Sequence, residues 1–368
     1  MATHASGLKT HIWNNNLKCL AVLALYPVLI MAMVWAVAAF LGGSALSGGA
    51  PYNHFANTGA NIYNAHVEGD TPAIATAITV KYAPLIITGV AIWFTIAWFF
   101  HTMMIRKLSH SRPVTRSEEP ELYNMLENLC ISRGMPLPRL EIIESHARNA
   151  FASGISTKSF AVTVTRGLMN SLAPDELEGV LAHELTHIQN RDVRLLIITI
   201  IFTGMFGFLA QIIWSNIRYG IFYTRGRNDN KGGAVMAMIV IAVVLWLGYL
   251  ASLVMRFAIS RRREYMADAG AIEMTKNPDA MMRALMRISG RDHIPETTAD
   301  IAMMCIENHV PFMGVFATHP PIEKRIKAIS QSTGTPIPES LPSLPPANKQ
   351  TRFSNKRANP WLIRGRRD

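Results

Sequence analysis

Four long apolar stretches, at 17–41, 84–105, 195–217 and 234–255, set what this 368-residue chain can fold into. Each reaches or exceeds the ~20 residues that an α-helix needs to cross a hydrocarbon core of ~30 Å. Charged residues make up 17% of the chain, below the roughly 25% usual for soluble proteins, and the deficit is concentrated in these stretches. Trp13, Trp35, Trp93, Trp98, Trp214 and Trp246 lie in or beside them, and those near the ends suit anchoring at the membrane interface. The first stretch is longer than the apolar region of a signal peptide, although "AVA" at 36–38 resembles a cleavage site. It reads as a retained anchor.

Charge orients the chain. Residues 1–16 form a short polar start, and 42–82, rich in Gly, Ala and Asn, reads as a loop ending near Lys81. Arg106, Lys107, Arg112 and Arg116 follow the second stretch. Basic residues favour the cytoplasmic side, which puts the N-terminus and 106–194 inside and the 42–82 loop outside. The net charge of +11 lies mostly in loops beside the membrane and in the C-terminal tail, so it points to anionic lipid head groups and not to nucleic acid. Cys19, Cys130 and Cys305 have no C-x-x-C spacing and supply neither a disulfide framework nor a thiolate metal site.

From 117 the composition turns to that of a soluble domain. The segments 139–144 ("RLEIIE") and 160–165 ("FAVTVT") are short and β-rich, with "NAFASG" at 149–154 between them, and predict a small sheet packed on helices. A helix is expected from Pro174, with Asp175 and Glu176 in its first turn. After the fourth stretch, "SRRREYMADAGAIEMT", "NPDAMMRALMRISG" and "HPPIEKRIKAI" predict three more helices. Three regions follow: 1–105 with two transmembrane helices and an external loop, 106–330 interrupted by a membrane hairpin at 195–255, and a Pro-rich, basic, flexible tail at 331–368.

The chemistry is concentrated in "VLAHELTHIQNRD" at 180–192. On a helix His183 and His187 share one face, so both can bind one ion. Glu184 is displaced by about 100° from His183 and can take a proton from a water that the metal acidifies. A third ligand is needed. A histidine six residues past His187 would supply it in one class of zinc protease, but Val193 stands there. "RREYMADAG" offers instead Glu264 and Asp268, four apart on one helical face. Glu264 can complete a one-zinc site while Asp268 holds the N–H of a ligand histidine. Ligands on the same side of the membrane need an even number of crossings between them, and the two stretches at 195–217 and 234–255 satisfy this. Arg218, Arg225, Arg227 and Lys231 make the intervening loop too basic for an external one, so the hairpin either breaks the charge rule or does not fully cross.

These motifs resemble those of the HtpX-like membrane zinc metallopeptidases, gluzincins related to the CAAX prenyl proteases. The resemblance runs from about 117 to 329 through "RNAFASG", "SLAPDELEGVLAHELTHIQNRD", "SRRREYMADAGA" and "THPPIEKRI". It implies an α+β, mainly α-helical integral membrane protein with four transmembrane helices and a zincin-type catalytic domain, in which a small sheet accompanies the active-site helix. It further implies zinc on His183, His187 and Glu264, with Glu184 as general base. The implied role is quality control of misfolded proteins in a bacterial inner membrane, with the catalytic domain facing the cytoplasm. Ser153 stands where the family usually has Thr.

Two segments have double readings. Asn149, Ala150, Phe151, Ala152, Ser153 and Gly154 can pair with an extended substrate as an added strand, or form an ordinary strand ending in a turn. His319, ahead of Pro320 and Pro321, can donate to an oxyanion or simply precede a helix start. Three functions compete: an endopeptidase for unfolded or membrane-protein segments, a narrow CAAX-type processing protease, and a non-catalytic membrane chaperone or scaffold. An intact Glu184 disfavours the last. The oligomeric state is not encoded in any motif.

Overall fold

The computed structural model describes residues 8–48, 71–223, 239–251, 262–289 and 320–342. The chain divides into two compact units. One comprises 13–100 and 195–259, the other 1–12, 101–194 and 260–368.

The first unit is built from long apolar helices. Helix α1 (Leu8–Gly48) and helix α2 (Thr71–Ser109) have 41 and 39 residues, longer than one crossing requires, and carry Pro27 and Pro84 inside them. Helix α6 (Asp192–Tyr223) and the shorter helix α7 (Ile239–Ala251) supply the remaining apolar segments. Among the described residues, three stretches are long and apolar enough to cross a membrane: Asn16–Phe40, Ala75–Ser109 and Asp192–Ser215. The fourth expected span is seen only as the 13 residues of α7, and the rest of 234–255 lies outside the described residues. Two expectations are corrected. The polar start is helical from Leu8, and the 42–82 loop is helical at both ends, through Gly48 and from Thr71. The reason is local: "TPAIATAITV" opens with Pro72 at a helix start and continues in small and apolar residues, and a single Lys81 does not break it.

Lipid-facing and protein-facing sides differ in this unit. Leu20, Leu85 and Phe99 are exposed, as expected where acyl chains would cover them. Tyr26 is buried and stacks on Phe202 with ring centroids 4.0 Å apart. Polar side chains find partners in the helix backbones. Trp93 Nε1 donates to the Ile201 carbonyl at 3.2 Å, and Thr95 and Thr203 return their hydroxyls to the carbonyls one turn back, at 2.7 and 2.8 Å. Gly248 of α7 lies so close to Met33 that a Cβ would sit 2.6 Å from its sulfur.

The second unit holds the sheet. Strands β1 (Arg112–Pro113), β2 (Arg139–Ile143), β3 (Ala150–Ser153) and β4 (Ala161–Thr165) are ordered β1-β2-β4-β3. The central pair is parallel, with Ile142 opposite Val164, and both outer pairs are antiparallel, with Ala152 opposite Val162. "NAFASG" is therefore the outer strand of a hairpin. Gly154 ends it at φ +107°, and a Cβ there would meet the Ser159 carbonyl at 2.5 Å.

Helices α4 (Arg166–Ser171) and α5 (Pro174–Asn190) pack against this sheet, while α3 (Pro120–Arg133), α8 (Arg262–Thr275) and α9 (Pro278–Ile288) pack on α5, and α10 (Ile322–Thr333) packs on α8 and α9. Helix α5 starts as its sequence suggests. Pro174 opens it, and Glu176 reaches back to accept from the Ala173 N–H at 2.8 Å. Glu176 is fully buried because Arg283 and Arg287 of α9 neutralise it at 3.0 and 2.8 Å. Helix α5 does not run into α6. Arg191 takes the left-handed conformation, φ 60°, and breaks the axis between them. The expected tail also begins later than 331. Helix α10 continues to Thr333, Gly334 caps it, and the Pro342 carbonyl accepts from Arg287 at 2.6 Å.

A buried ion pair fixes the entry to α4. Arg166 donates to Glu119 at 2.7 Å and to Glu144 at 2.9 and 3.0 Å, and its hydrogen bonds hold the Glu144 carboxyl below its usual range. Glu119 is buried whereas half of the Glu144 side chain is exposed. Arg166→Ala would leave the Glu119 charge uncompensated and is expected to cost roughly 3–5 kcal/mol, while Glu144→Gln costs under about 1 kcal/mol. Denaturant unfolding in detergent measures both, and equal costs would contradict this division.

Candidate metal and catalytic site

Helix α5 carries the first two groups. His183 is buried and His187 nearly so, one helical turn apart on the face turned toward α8. Their Nε2 atoms lie 3.2 Å apart. Glu264, in the first turn of α8, places its carboxylate oxygens 3.6 Å from His183 Nε2 and 3.7 Å from His187 Nε2. Two imidazoles and a carboxylate bound to one zinc at 2.0–2.2 Å would have donor atoms about 3.3–3.5 Å apart in a tetrahedral arrangement. The separations here, 3.2, 3.6 and 3.7 Å, come within about 0.2 Å of that range, so small side-chain shifts would seat an ion. No other triad of His, Cys, Asp and Glu among the described residues converges in this way.

The far side of each ring adds to the fit. His183 Nδ1 lies 3.0 Å from Asp268, and His187 Nδ1 lies 3.3 Å from Asp192. With each Nδ1–H donated to a carboxylate, both Nε2 lone pairs face each other and Glu264, an arrangement that only a cation stabilises. The demand for positive charge shows in His183 itself. Burial opposes its protonation, but hydrogen bonds with Asp268 and Glu264 outweigh this and push its pKa up to about 9. Asp268 is held charged. Burial disfavours the carboxylate, yet the Arg325 guanidinium and the bond to His183 keep its pKa below the usual range.

Arg325 was not anticipated. This residue of α10 is fully buried and grips Asp268 through two hydrogen bonds, at 2.9 and 2.6 Å. Its Nη2 also lies 3.5 Å from both ring nitrogens of His183. The chain thus runs Arg325 to Asp268 to His183. Asp192 was missed as well.

Glu184 faces the sheet. It is buried, and it accepts a backbone hydrogen bond from Ala152 of β3. Burial pushes its pKa up, opposed by positive charge on the His183 and His187 side and by the Ala152 N–H. A carboxylate moved upward in this way is suited to accept a proton near neutral pH. The same contact sets the expected substrate strand beside the expected base.

Residues 150–153 are β3, with Gly154 in the turn after it, and all four strand residues are buried. Asn149 is also buried. Its backbone N–H donates to Thr165 Oγ1 at 2.9 Å, and its side-chain oxygen accepts from the Ala150 N–H at 3.0 Å, a local structural use. His319 lies outside the described residues.

Among known proteins, the likeness is to membrane metalloproteases. The chain belongs to Peptidase family M48, whose model matches residues 116–333, from just past β1 to the last residue of α10. It is 40% identical over 334 residues to the Protease HtpX homolog of Bacteroides fragilis, covering 88% of this chain and 98% of that one. Against the Protease HtpX homolog of Listeria monocytogenes the identity is 36% over 240 residues, 61% of this chain and 78% of that one. Among solved structures, S. mikatae Ste24p matches with a TM-score of 0.41 and 22% identity, over 68% of this chain and 58% of that chain.

The delivery of Glu264 depends on a close helix crossing. A Cβ on Gly270 of α8 would lie 2.5 Å from Thr186 Cγ2 and 2.7 Å from its Oγ1 on α5. Gly270→Ala is expected to spread the two helices and weaken zinc retention against a chelator. Thr186→Ala in the same chain removes both close atoms and should restore it. Parental zinc retention by Gly270→Ala alone would show that the crossing does not position the site.

Proposed function

We propose that the chain is a zinc-dependent membrane endopeptidase in which His183, His187 and Glu264 hold the metal and Glu184 is the general base. The observation that carries this reading is the convergence of three donor groups close to tetrahedral ligand spacing, with a second acid, Glu184, beside them that contacts the outer strand. Bound zinc would supply Lewis acidity, polarising the peptide carbonyl and acidifying water.

The remaining work falls to the chain. Glu184 takes the proton of the attacking water and passes it to the departing amide nitrogen. Asp268, braced by Arg325, and Asp192 keep both imidazoles turned toward the metal. Strand β3 pairs with β4 on one side, and an extended substrate pairing along its other edge, with little side-chain selectivity, would take over the Ala150 and Ala152 N–H groups now held by Asn149 and Glu184. Its residues are buried, so a substrate must displace what covers this edge. His319 would donate to the oxyanion.

Such a binding mode suits unfolded or damaged segments of membrane proteins, and we assign the protein to quality control in a bacterial inner membrane. The basic residues Arg106, Lys107, Arg112 and Arg116 after the second span support a cytoplasmic catalytic domain within 106–330. A narrower, CAAX-type processing role is the second reading. The burial of Glu184 favours it, because a closed site must be opened by the right substrate.

An unfolded reporter protein, incubated with the full chain in detergent before and after chelation and zinc return, tests the proposal. Cleavage should require zinc. Glu184→Gln should fall by at least about 10²-fold while keeping one zinc, and Glu264→Ala should lose both zinc and cleavage. A Glu184→Gln protein that cuts at the parental rate would remove the base assignment. Zinc-loaded parent that ignores unfolded reporters would shift the reading to narrow processing.

A further inference from the structure

The opening turn of α6 touches the site at two separate points. Asp192 is buried with its Oδ2 3.3 Å from His187 Nδ1. Two residues on, Arg194 Nε donates to the Ile155 carbonyl at 2.8 Å. Ile155 is fully buried and directly follows Gly154, the turn residue that ends the β3 segment.

Neither contact follows from a continuous helix. Five residues along an α-helix rotate a side chain by roughly 140° beyond the starting face, so Asp192 would point away from His187 if α5 simply continued. The left-handed Arg191 changes this. Its backbone N–H closes α5 on the His187 and Ile188 carbonyls, and α6 restarts with Asp192 folded back toward the ring. An aspartate in a first helical turn also complements the helix dipole, which accounts for its position but not for its burial against an imidazole.

We infer that Asp192 and Arg194 are positioning residues for the two halves of the reaction, Asp192 through His187 and Arg194 through the turn that ends β3. Asp192 accepts the Nδ1–H and fixes the tautomer that presents Nε2 to the metal. Arg194 fixes where the outer strand ends, and with it the register in which a substrate strand meets Glu184. The inference rests on the zinc reading for His187 and adds to it a division of labour: one residue acts on the metal, its neighbour on substrate.

The test uses the full chain in detergent, with zinc retention against a chelator, the absorption spectrum of the cobalt-substituted protein, and KM and kcat on an unfolded reporter. Asp192→Ser keeps a residue that favours helix starts but is too short to reach the ring, and Asp192→Asn still accepts from Nδ1–H. Asp192→Ser should weaken zinc binding by roughly 10–100-fold and shift the cobalt spectrum, with Asp192→Asn close to the parent in both. Arg194→Ala should raise KM several-fold, on the order of 10-fold at most, with parental zinc retention and cobalt spectrum. His187→Ala is the control and should lose the metal. If His187→Ala loses the metal while Asp192→Ser matches the parent in zinc retention and spectrum, the inference fails and the zinc reading stands. If His187→Ala keeps the metal, the zinc reading itself fails. Arg194→Ala with an unchanged KM overturns the substrate half.

Discussion

Everything in the catalytic unit answers to one electrostatic constraint: too many electron pairs converge in a dry place. Glu184, Glu264, Asp268 and Asp192 are all buried around two imidazoles, with Arg325 the buried guanidinium that faces them. Four carboxylates against one guanidinium leave a deficit of three positive charges when the imidazoles are neutral. Charges left unbalanced in such surroundings cost several kcal/mol each. A divalent cation between His183, His187 and Glu264 removes most of the deficit where the donor atoms are closest, at 3.2–3.7 Å. The upward push on His183 is the same demand, met by a proton.

The fold is arranged to hold these groups from behind. Each imidazole has a carboxylate at its far nitrogen, and one of those carboxylates is itself clamped by Arg325 from α10. Helix α8 reaches α5 closely because Gly270 has no side chain to keep Thr186 away. The hairpin of β3 and β4 brings the Ala152 N–H to Glu184, so the proposed base and the outer strand are set by one contact. In sequence the second histidine and Glu264 are separated by the two apolar segments around α6 and α7, yet His183, His187 and Glu264 belong to one compact unit.

The cluster of His183, His187 and Glu264 was legible because helical spacing converts directly into a shared face: His183 with His187, and Glu264 with Asp268. The small sheet was legible as two β-rich runs with "NAFASG" between them. Arg325 was hidden in "HPPIEKRIKAI", where Glu, Lys and Arg at helical spacing read as a solvated face, and its partner Asp268 is 57 positions away. Asp192 was hidden for a different reason. Its reach depends on a left-handed backbone at Arg191, a conformation that an arginine does not announce as a glycine does. Strand β1 contains Pro113, which sequence rules set against a strand and which only an edge position tolerates. The helical ends of the expected 42–82 loop were lost because Ala and Thr there are too weakly apolar to register as part of a span.

The most direct measurement is zinc K-edge X-ray absorption on the purified full chain, with metal content determined on the same sample. One zinc per chain is expected, with two imidazole nitrogens and carboxylate oxygen at about 2.0–2.2 Å and no sulfur in the ligand shell. A sulfur ligand, a single imidazole, or a protein that retains no zinc under non-chelating conditions would contradict it.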